Sequence, residues 1–471
     1  MSKPPTWTLD DLLRATGGQL LSGEREVGFA GISIDSRRIS PTDLFVAIQG
    51  AAHDGHRFAA DVIRQGVRGI LIAHSQATEL SRKLKAHPAV VCIAVEDTTR
   101  ALGALAAFHR RRCPVSVVAI TGSNGKTTTK ELTAAVVARG YPTLASRGNF
   151  NNEIGVPLSL FTIDTTYRWA VMELGMNHPG EIDRLARICR PDIGVITNIG
   201  PVHLEGLGSM EAIMAAKGEL LAHLPPGGVA VLNADDPRVL RIERPKTITP
   251  LLFGLSPAAQ IQARAVHFEG MATAFTLVLP GASLPVQIHA PGKFMVSNAL
   301  AAAAVGHVLG LAGREIKAGL ENFRPIGGRM LLLPTRRGIH IIDDSYNANP
   351  VSMKAAAETL AVLRQGRPGH LVCGDMLELG ESAVALHHSL GGHIARFGFE
   401  GLYATGRFTA ALADGAVAAG MAAERIFTGS QAVLLQALTQ RLHSGDWVLV
   451  KGSRGMAMER LVKNLKQWAD T

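Results

Sequence analysis

Short apolar runs that end in polar residues recur along most of the chain. They are rich in β-branched residues and bounded by turn residues, as buried strands are, and they lie at residues 30–35, 44–48, 69–73, 89–94, 115–120, 169–172, 193–198, 228–233, 339–343, 370–373 and 447–450. Helical stretches separate many of these runs, whereas residues 261–289 are β-rich and predict a small antiparallel piece. The alternation of strands and helices predicts an α/β fold with parallel sheets.

The length of the chain predicts several domains, because 471 residues exceed the roughly 100–200 residues that one core usually supports. We expect a small N-terminal α/β domain at residues 1–110 and a central domain with a P-loop mononucleotide-binding parallel sheet at residues 111–323. A C-terminal Rossmann-like domain is expected at residues 324–471. The first junction is expected in the stretch 110–114.

The run at residues 115–120 leads into a glycine-containing loop and then into a helix. Glycines let backbone N–H groups close around phosphate oxygens, and the helix N-terminus adds its dipole. Ile120 stands where the usual G-x-x-x-x-G-K-[ST] pattern has its first glycine, and the alternative is an ordinary glycine-rich turn. The context favours ATP or GTP binding through Gly122, Ser123, Asn124, Gly125, Lys126, Thr127 and Thr128, with Lys126 on the β/γ-phosphates and Thr127 on Mg²⁺.

Polar residues also follow other strands of the predicted central sheet. Glu173 and His203 come after two of them, and the segment 233–237 follows a third. Because the carboxyl ends of parallel strands share one edge, we expect these three ends to converge on the loop. Taken alone each residue is more often structural, but together Glu173 and His203 are candidate Mg²⁺ ligands.

The third domain carries its own candidates. Residues 343–350 contain two acids, an aromatic and two asparagines after a strand, which suits a ribose or base contact, although a proline-capped turn is the alternative. Arg329, Lys451 and Arg454 are candidate clamps for phosphate or carboxylate groups. Lys217, by its position after a helical run, would ordinarily be a surface lysine.

Composition narrows the class of protein. A hydrophobic fraction of 47% and a charged fraction of 18% indicate a folded globular chain rather than a disordered one. The net charge of +9 is dispersed except at residues 110–112, so anionic small molecules account for it as well as nucleic acid does. The four cysteines are far apart, no apolar signal core begins the chain, and the longest apolar stretch, 299–311, is too short to span a bilayer. We therefore expect a cytoplasmic protein without membrane insertion.

An ordered set of motifs resembles the Mur ligases of peptidoglycan synthesis, and the motifs lie at residues 121–128, 173–182, 198–205, 217–219 and 233–237. Residues 35–37 and 43–50 resemble the UDP-sugar-binding N-terminal domain of that family. Residues 149–157, 344–350 and 374–380 resemble the branch that takes D-alanyl-D-alanine. The resemblance covers nearly the whole chain and is weakest at residues 235–290 and 395–445.

The resemblance implies a monomeric ligase that uses ATP and Mg²⁺ and acts on a UDP-N-acetylmuramoyl-tripeptide and D-alanyl-D-alanine, without nucleic acid. Besides the loop, it implies ATP contacts from Asn298, Arg329 and Asp344. It implies that Thr127 and Glu173 hold one Mg²⁺, that His203 helps to hold a second, and that Lys217 is carbamylated into a further metal ligand. The implied substrate contacts are Asp35, Ser36, Arg37, Asn151, Asn152, Tyr346, Asn347 and Asn349, and the implied catalytic residues are Lys126, Lys217 and His203. The third residue of the tripeptide, diaminopimelate or lysine, stays open.

Two rival functions share the nucleotide loop. A folylpolyglutamate synthetase-like ligase would have a similar ATP core, but the unit around residues 35–37 argues against it. A P-loop switch or motor ATPase would hydrolyse ATP without any amine acceptor. Dependence of ATP cleavage on an acceptor therefore separates the ligase from the switch.

Overall fold

The computed structural model describes residues 6–50 and 53–471. In this part of the chain the larger sheets number three, and they follow one another along the sequence with five, nine and six strands. Each of these sheets contains parallel strands. The predicted α/β fold class is confirmed.

The N-terminal region contains a mostly parallel sheet of order β2-β7-β6-β5-β4, in which only β2 pairs antiparallel. β1 and β3 form a separate antiparallel pair. The elements are β1 (Trp7–Thr8), α1 (Leu9–Thr16), β2 (Gln19–Ser22), β3 (Gly28–Phe29), β4 (Gly31–Ser33), β5 (Asp43–Val46), α2 (Ala59–Arg64), β6 (Gly69–Ala73), α3 (Ala77–Leu84), β7 (Val91–Val95) and α4 (Thr98–Arg112).

The central region is built on the nine-stranded sheet. Its elements are β8 (Ser116–Thr121), α5 (Lys126–Val137), β9 (Thr143–Ala145), α6 (Gly155–Leu160), β10 (Trp169–Glu173), α7 (Glu181–Cys189), β11 (Ile193–Ile196), α8 (Leu204–Leu207), α9 (Met210–Gly218), β12 (Val229–Asn233), α10 (Pro237–Leu240), β13 (Thr249–Gly254), β14 (Ile261–Glu269), β15 (Ala272–Leu279), β16 (Ala282–Ile288), α11 (Lys293–Val308) and α12 (Gly313–Glu321).

The strand order of this sheet places the predicted loop at a switch point. The order is β16-β15-β14-β13-β12-β11-β8-β10-β9, and β8 lies between β10 and β11, both parallel to it. A ligand crevice is expected outside the carboxyl end of such a strand. Val118 and Ile120 face one core and Val117 and Ala119 face the other, which explains why the run is apolar at every position. The antiparallel piece predicted at residues 261–289 is confirmed as β14–β16, which extends this sheet.

The C-terminal region has a six-stranded sheet of order β17-β18-β22-β19-β20-β21, parallel except at β17. Its elements are β17 (Leu331–Pro334), β18 (His340–Asp344), α13 (Pro350–Leu363), β19 (Gly369–Gly374), α14 (Ala383–Ala395), β20 (Gly401–Thr405), α15 (Thr409–Ala418), β21 (Ile426–Thr428), α16 (Gln431–Thr439), β22 (Trp447–Lys451) and α17 (Glu459–Asp470). Short 3₁₀ helices lie at Gly55–Phe58, His74–Gln76, Glu219–His223, Gly380–Ser382, Ala423–Arg425 and Arg454–Met456.

Helix α4 joins the first two regions. It extends into the predicted junction, where it ends at Arg112, and it packs against α6 and α7 of the central region. Leu102 and Leu105 of α4 lie in the N-terminal core, whereas Ala106 lies in a core of the central region. This helix therefore belongs to two cores. No helix in the described ranges has the length and apolar character needed to cross a membrane.

Candidate active site

The loop after β8 turns through two glycines with left-handed backbone angles. Gly122 has φ +148° and Gly125 has φ +80°. A Cβ on Gly122 would lie 1.9 Å from Oγ1 of Thr197, and one on Gly125 would lie 2.3 Å from Oδ1 of Asn298. The loop is therefore packed too tightly for any side chain at either position, although no glycine stands at position 120.

Hydrogen bonds to the end of β11 hold this loop in place. The N–H of Ser123 donates to the carbonyl of Asn198 at 2.9 Å, and the N–H of Asn124 donates to Oδ1 of Asn198 at 2.9 Å. Oγ1 of Thr197 donates to the carbonyl of Asn124 at 2.6 Å. Asn198 was not predicted as a site residue; its position at the end of a neighbouring parallel strand was the available signal.

Lys126 lies against the loop that precedes it. Its Nζ donates to the carbonyls of Gly122 at 2.8 Å and Ser123 at 3.4 Å. Burial lowers the pKa of Lys126, opposed by the charge of Glu173. Nδ2 of Asn124, on the same loop, is buried without a hydrogen-bond partner. A cation and an unpaired donor on one glycine loop fit a phosphate chain, which would accept from both.

Thr127 and Glu173 form the predicted hydroxyl–carboxylate pair. Oγ1 of Thr127 donates to Oε2 of Glu173 at 2.7 Å, and Nδ2 of Asn151 donates to Oε1 of the same carboxylate at 2.8 Å. Arg329, from the C-terminal region, donates through Nη2 to Oγ1 of Thr127 at 2.8 Å. Hard oxygen donors beside a phosphate loop fit Mg²⁺, which usually takes one or two protein carboxylates with phosphates and water.

His203 lies in the same cavity as the Thr127–Glu173 pair and contacts the C-terminal region. His203 lines the cavity, and its Nδ1 lies 2.5 Å from Oε2 of Glu378 in the C-terminal region. This hydrogen bond lowers the pKa of Glu378. Across residues 6–50 and 53–471, no group of three or more His, Cys, Asp or Glu side chains is placed to hold a metal ion. A metal here would therefore need the Thr127 hydroxyl or phosphate oxygens as further ligands.

Lys217 is buried, with 1% of its surface exposed, and lies in α9 outside the cavity lining. Burial, and then the charge of Lys126, lower the pKa of Lys217 well below its usual value. From its position in the sequence alone, Lys217 was expected to be a solvated surface lysine. That expectation is wrong. A buried lysine with a lowered pKa supplies the neutral amine that carbamylation requires.

The C-terminal region closes the cavity from the opposite side. The guanidinium of Arg329 stacks 4.1 Å from the ring centroid of Tyr346. Nζ of Lys451 donates to Oδ2 of Asp344 at 2.6 Å and to the carbonyl of Asn347 at 2.9 Å. Burial raises the pKa of Asp344, and the neighbouring Lys451 opposes that rise. Lys451 thus neutralises the buried carboxylate of Asp344, so the Lys451 ammonium already has an anionic partner within the protein.

The cavity between these two regions has a volume of about 390 Å³. The predicted residues that line it are Ser123, Asn124, Gly125, Lys126, Thr127, Thr128, Asn151, Asn152, Glu173, His203, Asn298, Arg329, Asp344, Tyr346, Asn347, Asn349 and Lys451. Nδ2 of Asn349 donates to Oδ1 of Asn124 at 2.5 Å, directly across the cavity. The predicted residues outside the lining are Gly122, Lys217, Asp35, Ser36, Arg37 and Arg454, and Arg454 pairs instead with Glu459 at 2.9 Å.

The third predicted strand end does not line the cavity. Asp235 accepts from the N–H groups of Leu255 and Ser256, each at 2.7 Å, and Asp236 accepts from the N–H of Ile199 at 2.7 Å. These carboxylates are occupied by backbone donors of neighbouring loops. This strand end nevertheless adjoins the loop, because Nδ2 of Asn233 donates to the carbonyl of Thr197 at 2.8 Å and Thr197 in turn binds Asn124. It supports the loop without contributing to the cavity surface.

The predicted uridine-nucleotide residues lie in the N-terminal region. The guanidinium of Arg37 binds Asp35 through two hydrogen bonds of 2.9 and 3.0 Å, and 83% of the Arg37 side chain is exposed. This pairing lowers the pKa of Asp35 to about 2. Nε2 of Gln65 donates to the carbonyl of Ser36 at 3.2 Å. Arg37 is therefore accessible to an anionic ligand.

The fold and the cavity define a P-loop nucleotide-binding protein whose phosphate loop faces a second α/β domain. Family models match the chain in sequence order: "Mur ligase family, catalytic domain" at residues 28–110, "Mur ligase middle domain" at 120–306 and "Mur ligase, glutamate ligase domain" at 328–454. The chain is 35% identical over 465 residues to the UDP-N-acetylmuramoyl-tripeptide–D-alanyl-D-alanine ligase of Escherichia coli strain K12, covering 98% of each. The chain belongs to the Mur ligase family.

Solved structures agree with that assignment. A crystal structure of MurF from Acinetobacter baumannii matches with a TM-score of 0.89 and 33% identity, covering 99% of this chain and 100% of that one. MurF ligase from Thermotoga maritima in complex with ADP matches with a TM-score of 0.81 and 26% identity, covering 93% and 97%.

Proposed function

We propose that this chain joins D-alanyl-D-alanine to a UDP-N-acetylmuramoyl-tripeptide while cleaving ATP to ADP and phosphate. The observation that carries the proposal is the cavity in which Lys126 and the Thr127–Glu173 pair face Arg329 of the C-terminal region. The family assignment and the named activity of the Escherichia coli relative support the substrates.

ATP binding is assigned to both walls of the cavity. The loop residues 122–128 hold the phosphate chain, and Lys126 exchanges its carbonyl partners for β/γ-phosphate oxygens. Asn298, Arg329 and Asp344 contact the rest of the nucleotide, with the Arg329–Tyr346 stack as a planar surface beside it. Thr127 and Glu173 would hold one Mg²⁺ and His203 would help to hold a second, and these ions when bound would neutralise charge on the transferred phosphoryl group.

The chemistry follows from the poor leaving group of a carboxylate. A carboxylate oxygen of the tripeptide attacks the γ-phosphorus, the bond to the bridging oxygen breaks, and ADP leaves. The amine of D-alanyl-D-alanine then attacks the carbonyl carbon of the acyl phosphate, loses a proton, and displaces phosphate. Lys126 stabilises the charge of the phosphoryl group, and the direct contacts between Asn124 and Asn349 and between Thr127 and Arg329 exclude water from the acyl phosphate.

Lys217 is assigned as a carbamylated residue. Its buried neutral amine would add to CO₂ and become a carboxylate-like group, reversing the repulsion from Lys126 into attraction. Residues Lys126, Lys217 and His203 are the proposed catalytic group. Gly122 does not line the cavity, and its proposed role is to allow the backbone turn of the phosphate loop.

The remaining substrate contacts are divided between the domains. Asp35, Ser36 and Arg37 are assigned to the uridine nucleotide, and their location in the N-terminal region separates that site from the ATP loop. The peptide and acceptor are assigned to the cavity residues Asn151, Asn152, Tyr346, Asn347 and Asn349. The proposed domains are 1–110, 111–323 and 324–471, and the protein is proposed to act as a cytoplasmic monomer.

A phosphate-release assay tests this function. The full chain is incubated with ATP, the UDP-muramoyl-tripeptide and D-alanyl-D-alanine, and each is omitted in turn. Release is expected only when all three are present, and single D-alanine should fail to replace the dipeptide. Full-rate hydrolysis of ATP alone would contradict the ligase and favour a switch or motor ATPase.

A further inference from the structure

One hydrogen bond between the central and C-terminal regions lies away from the phosphate loop. Nδ1 of His203 and Oε2 of Glu378 are 2.5 Å apart. The backbones also meet here, because the N–H of Glu205 donates to the carbonyl of Glu378 at 3.3 Å. His203 lines the cavity whereas Glu378 does not, so the carboxylate lies behind the imidazole as seen from the cavity.

The segment that carries Glu378 is held rigidly at the carboxyl end of β19. The N–H of Met376 donates to Nε2 of His387 at 3.0 Å, and the N–H of Leu377 donates to Oγ of Ser453 at 2.9 Å. Glu378 itself has φ +62°, a left-handed angle that turns the segment toward the central region. The backbone position of Glu378 is therefore set by the C-terminal sheet.

The partner of Glu378 is also held in an unusual backbone conformation. His203 has φ +53°, a left-handed angle at a residue other than glycine. Left-handed angles in non-glycine residues cost free energy and persist where surrounding contacts require them. Both residues of the pair are thus oriented toward each other by their own domains.

We infer that Glu378 is a positioning residue, brought by the C-terminal domain, that orients the His203 ring toward the cavity. Glu378 accepts a hydrogen bond from Nδ1–H, which leaves Nε2 of His203 as the free nitrogen on the cavity side. The inference rests on the proposed function, because it takes His203 as a ligand of the divalent cation. Closure of the C-terminal domain over the central domain would then also bring Glu378 to the His203 ring and orient it.

This assignment gives a role to residues 374–380, which the sequence singled out without one. The histidine precedes α8 of the central region, whereas the carboxylate follows β19 of the C-terminal region, on the other side of the cavity. An open arrangement of the two domains would leave the His203 ring without this partner. Divalent-ion binding and domain closure are therefore coupled through one side chain.

The test measures Mn²⁺ binding, as a probe for Mg²⁺, to the full chain with a non-hydrolysable ATP analogue, by electron paramagnetic resonance of free Mn²⁺. His203→Ala defines the part of the binding that depends on His203. Glu378→Ala should weaken that same part about 10-fold, as loss of a hydrogen-bond partner of a metal ligand typically does. Binding of the analogue without metal should not change. Glu381→Ala is the matched control, since Glu381 is an exposed acid on the same segment.

The double variant shows whether Glu378 acts through His203. Glu378→Ala combined with His203→Ala should bind Mn²⁺ no more weakly than His203→Ala alone. A further loss of about 10-fold in the double variant, or equal weakening of the analogue with and without metal, would overturn the inference in favour of a simple contact between domains.

Comparing the two single variants also distinguishes a failure of the proposed function from a failure of this inference. If His203→Ala binds Mn²⁺ as the parent does, the metal role of His203 in the proposed function is wrong and the inference falls with it. If His203→Ala weakens binding and Glu378→Ala does not, only the inference is wrong. Thermal unfolding checks that every variant is folded, which is expected because Glu378 is an exposed residue.

Discussion

Lys130 is a fully buried lysine in the helix that follows the phosphate loop. Its side chain is 0% exposed, and its Nζ donates to the carbonyls of Ser146 at 2.5 Å and Gly148 at 3.0 Å. Oγ of Ser146 in turn accepts from the N–H of Glu173 at 3.3 Å, and Asn151 of the same loop binds the Glu173 carboxylate. Lys130 therefore supports the loop that positions Glu173.

Replacing Lys130 with methionine keeps most of the side-chain volume and removes the ammonium group. The Ser146 carbonyl loses this donor in a buried position, which costs about 1–3 kcal/mol. The Gly148 carbonyl belongs to an exposed residue, where water replaces the donor. The substitution also removes the ion pair between Nζ and Oε1 of Glu131 at 3.0 Å, but Glu131 is partly exposed and water can solvate its carboxylate. Removing the desolvated ammonium offsets part of these losses. We expect a net destabilisation of about 2 kcal/mol, which lowers the Tm of a domain of this size by roughly 4–8 °C.

Thermal unfolding followed by circular dichroism measures this change, and hydrogen exchange of residues 146–151 locates it. Lys246→Met is the matched control, because Lys246 is exposed in the same region and its loss should change stability by less than about 0.5 kcal/mol. Exchange in the loop should accelerate in Lys130→Met and not in the control. An unchanged Tm and unchanged exchange would refute the structural role of Lys130.

Three further substitutions test the site. Lys126→Ala should reduce ATP turnover at least about 10²–10³-fold, because the cation at the phosphates is removed. The Tm should not fall, because Lys126 is only half-buried at the cavity surface, where water can replace its contacts with the carbonyls of Gly122 and Ser123. Steady-state kinetics within a few-fold of the parent would contradict the loop assignment. Lys217→Ala should inactivate the enzyme and regain activity with a short-chain carboxylic acid, and a fully active variant would exclude carbamylation. Arg37→Ala should raise KM for the uridine substrate about 10-fold or more and spare KM for ATP, since a lost hydrogen bond to a charged group costs about 1.5–3 kcal/mol; equal effects on both would contradict the division between the sites.

The sequence predicted the strands and the loop because both depend on local pattern. Runs such as Val117–Ile120 are apolar at every position since both faces of the central sheet are buried. The strands missed by the prediction, such as β9 and β21, are three residues long and only partly buried or exposed, so they carry little periodic signal. Their pairing is set by neighbours that are distant in sequence.

The site was predictable only where residues follow strands of the same sheet. Glu173 and His203 met this condition and line the cavity. The burial of Lys130 and Lys217 was not predictable. Whether a lysine on a helix is buried depends on segments distant in sequence that cover it, and the local sequence pattern is the same in both cases. The pairing of His203 with Glu378 depends on how two domains meet, which no local pattern records.

The fate of the substrate's carboxylate oxygens tests the central claim most directly. The UDP-muramoyl-tripeptide is prepared with heavy oxygen in both oxygens of the reacting carboxylate, and the phosphate released during ligation is analysed by mass spectrometry. An acyl phosphate intermediate requires that one labelled oxygen leave with the phosphate while the other remains in the new amide. Phosphate with one heavy oxygen per turnover is the predicted result. Unlabelled phosphate would contradict carboxylate attack on the γ-phosphorus and with it the ligase mechanism assigned to this cavity.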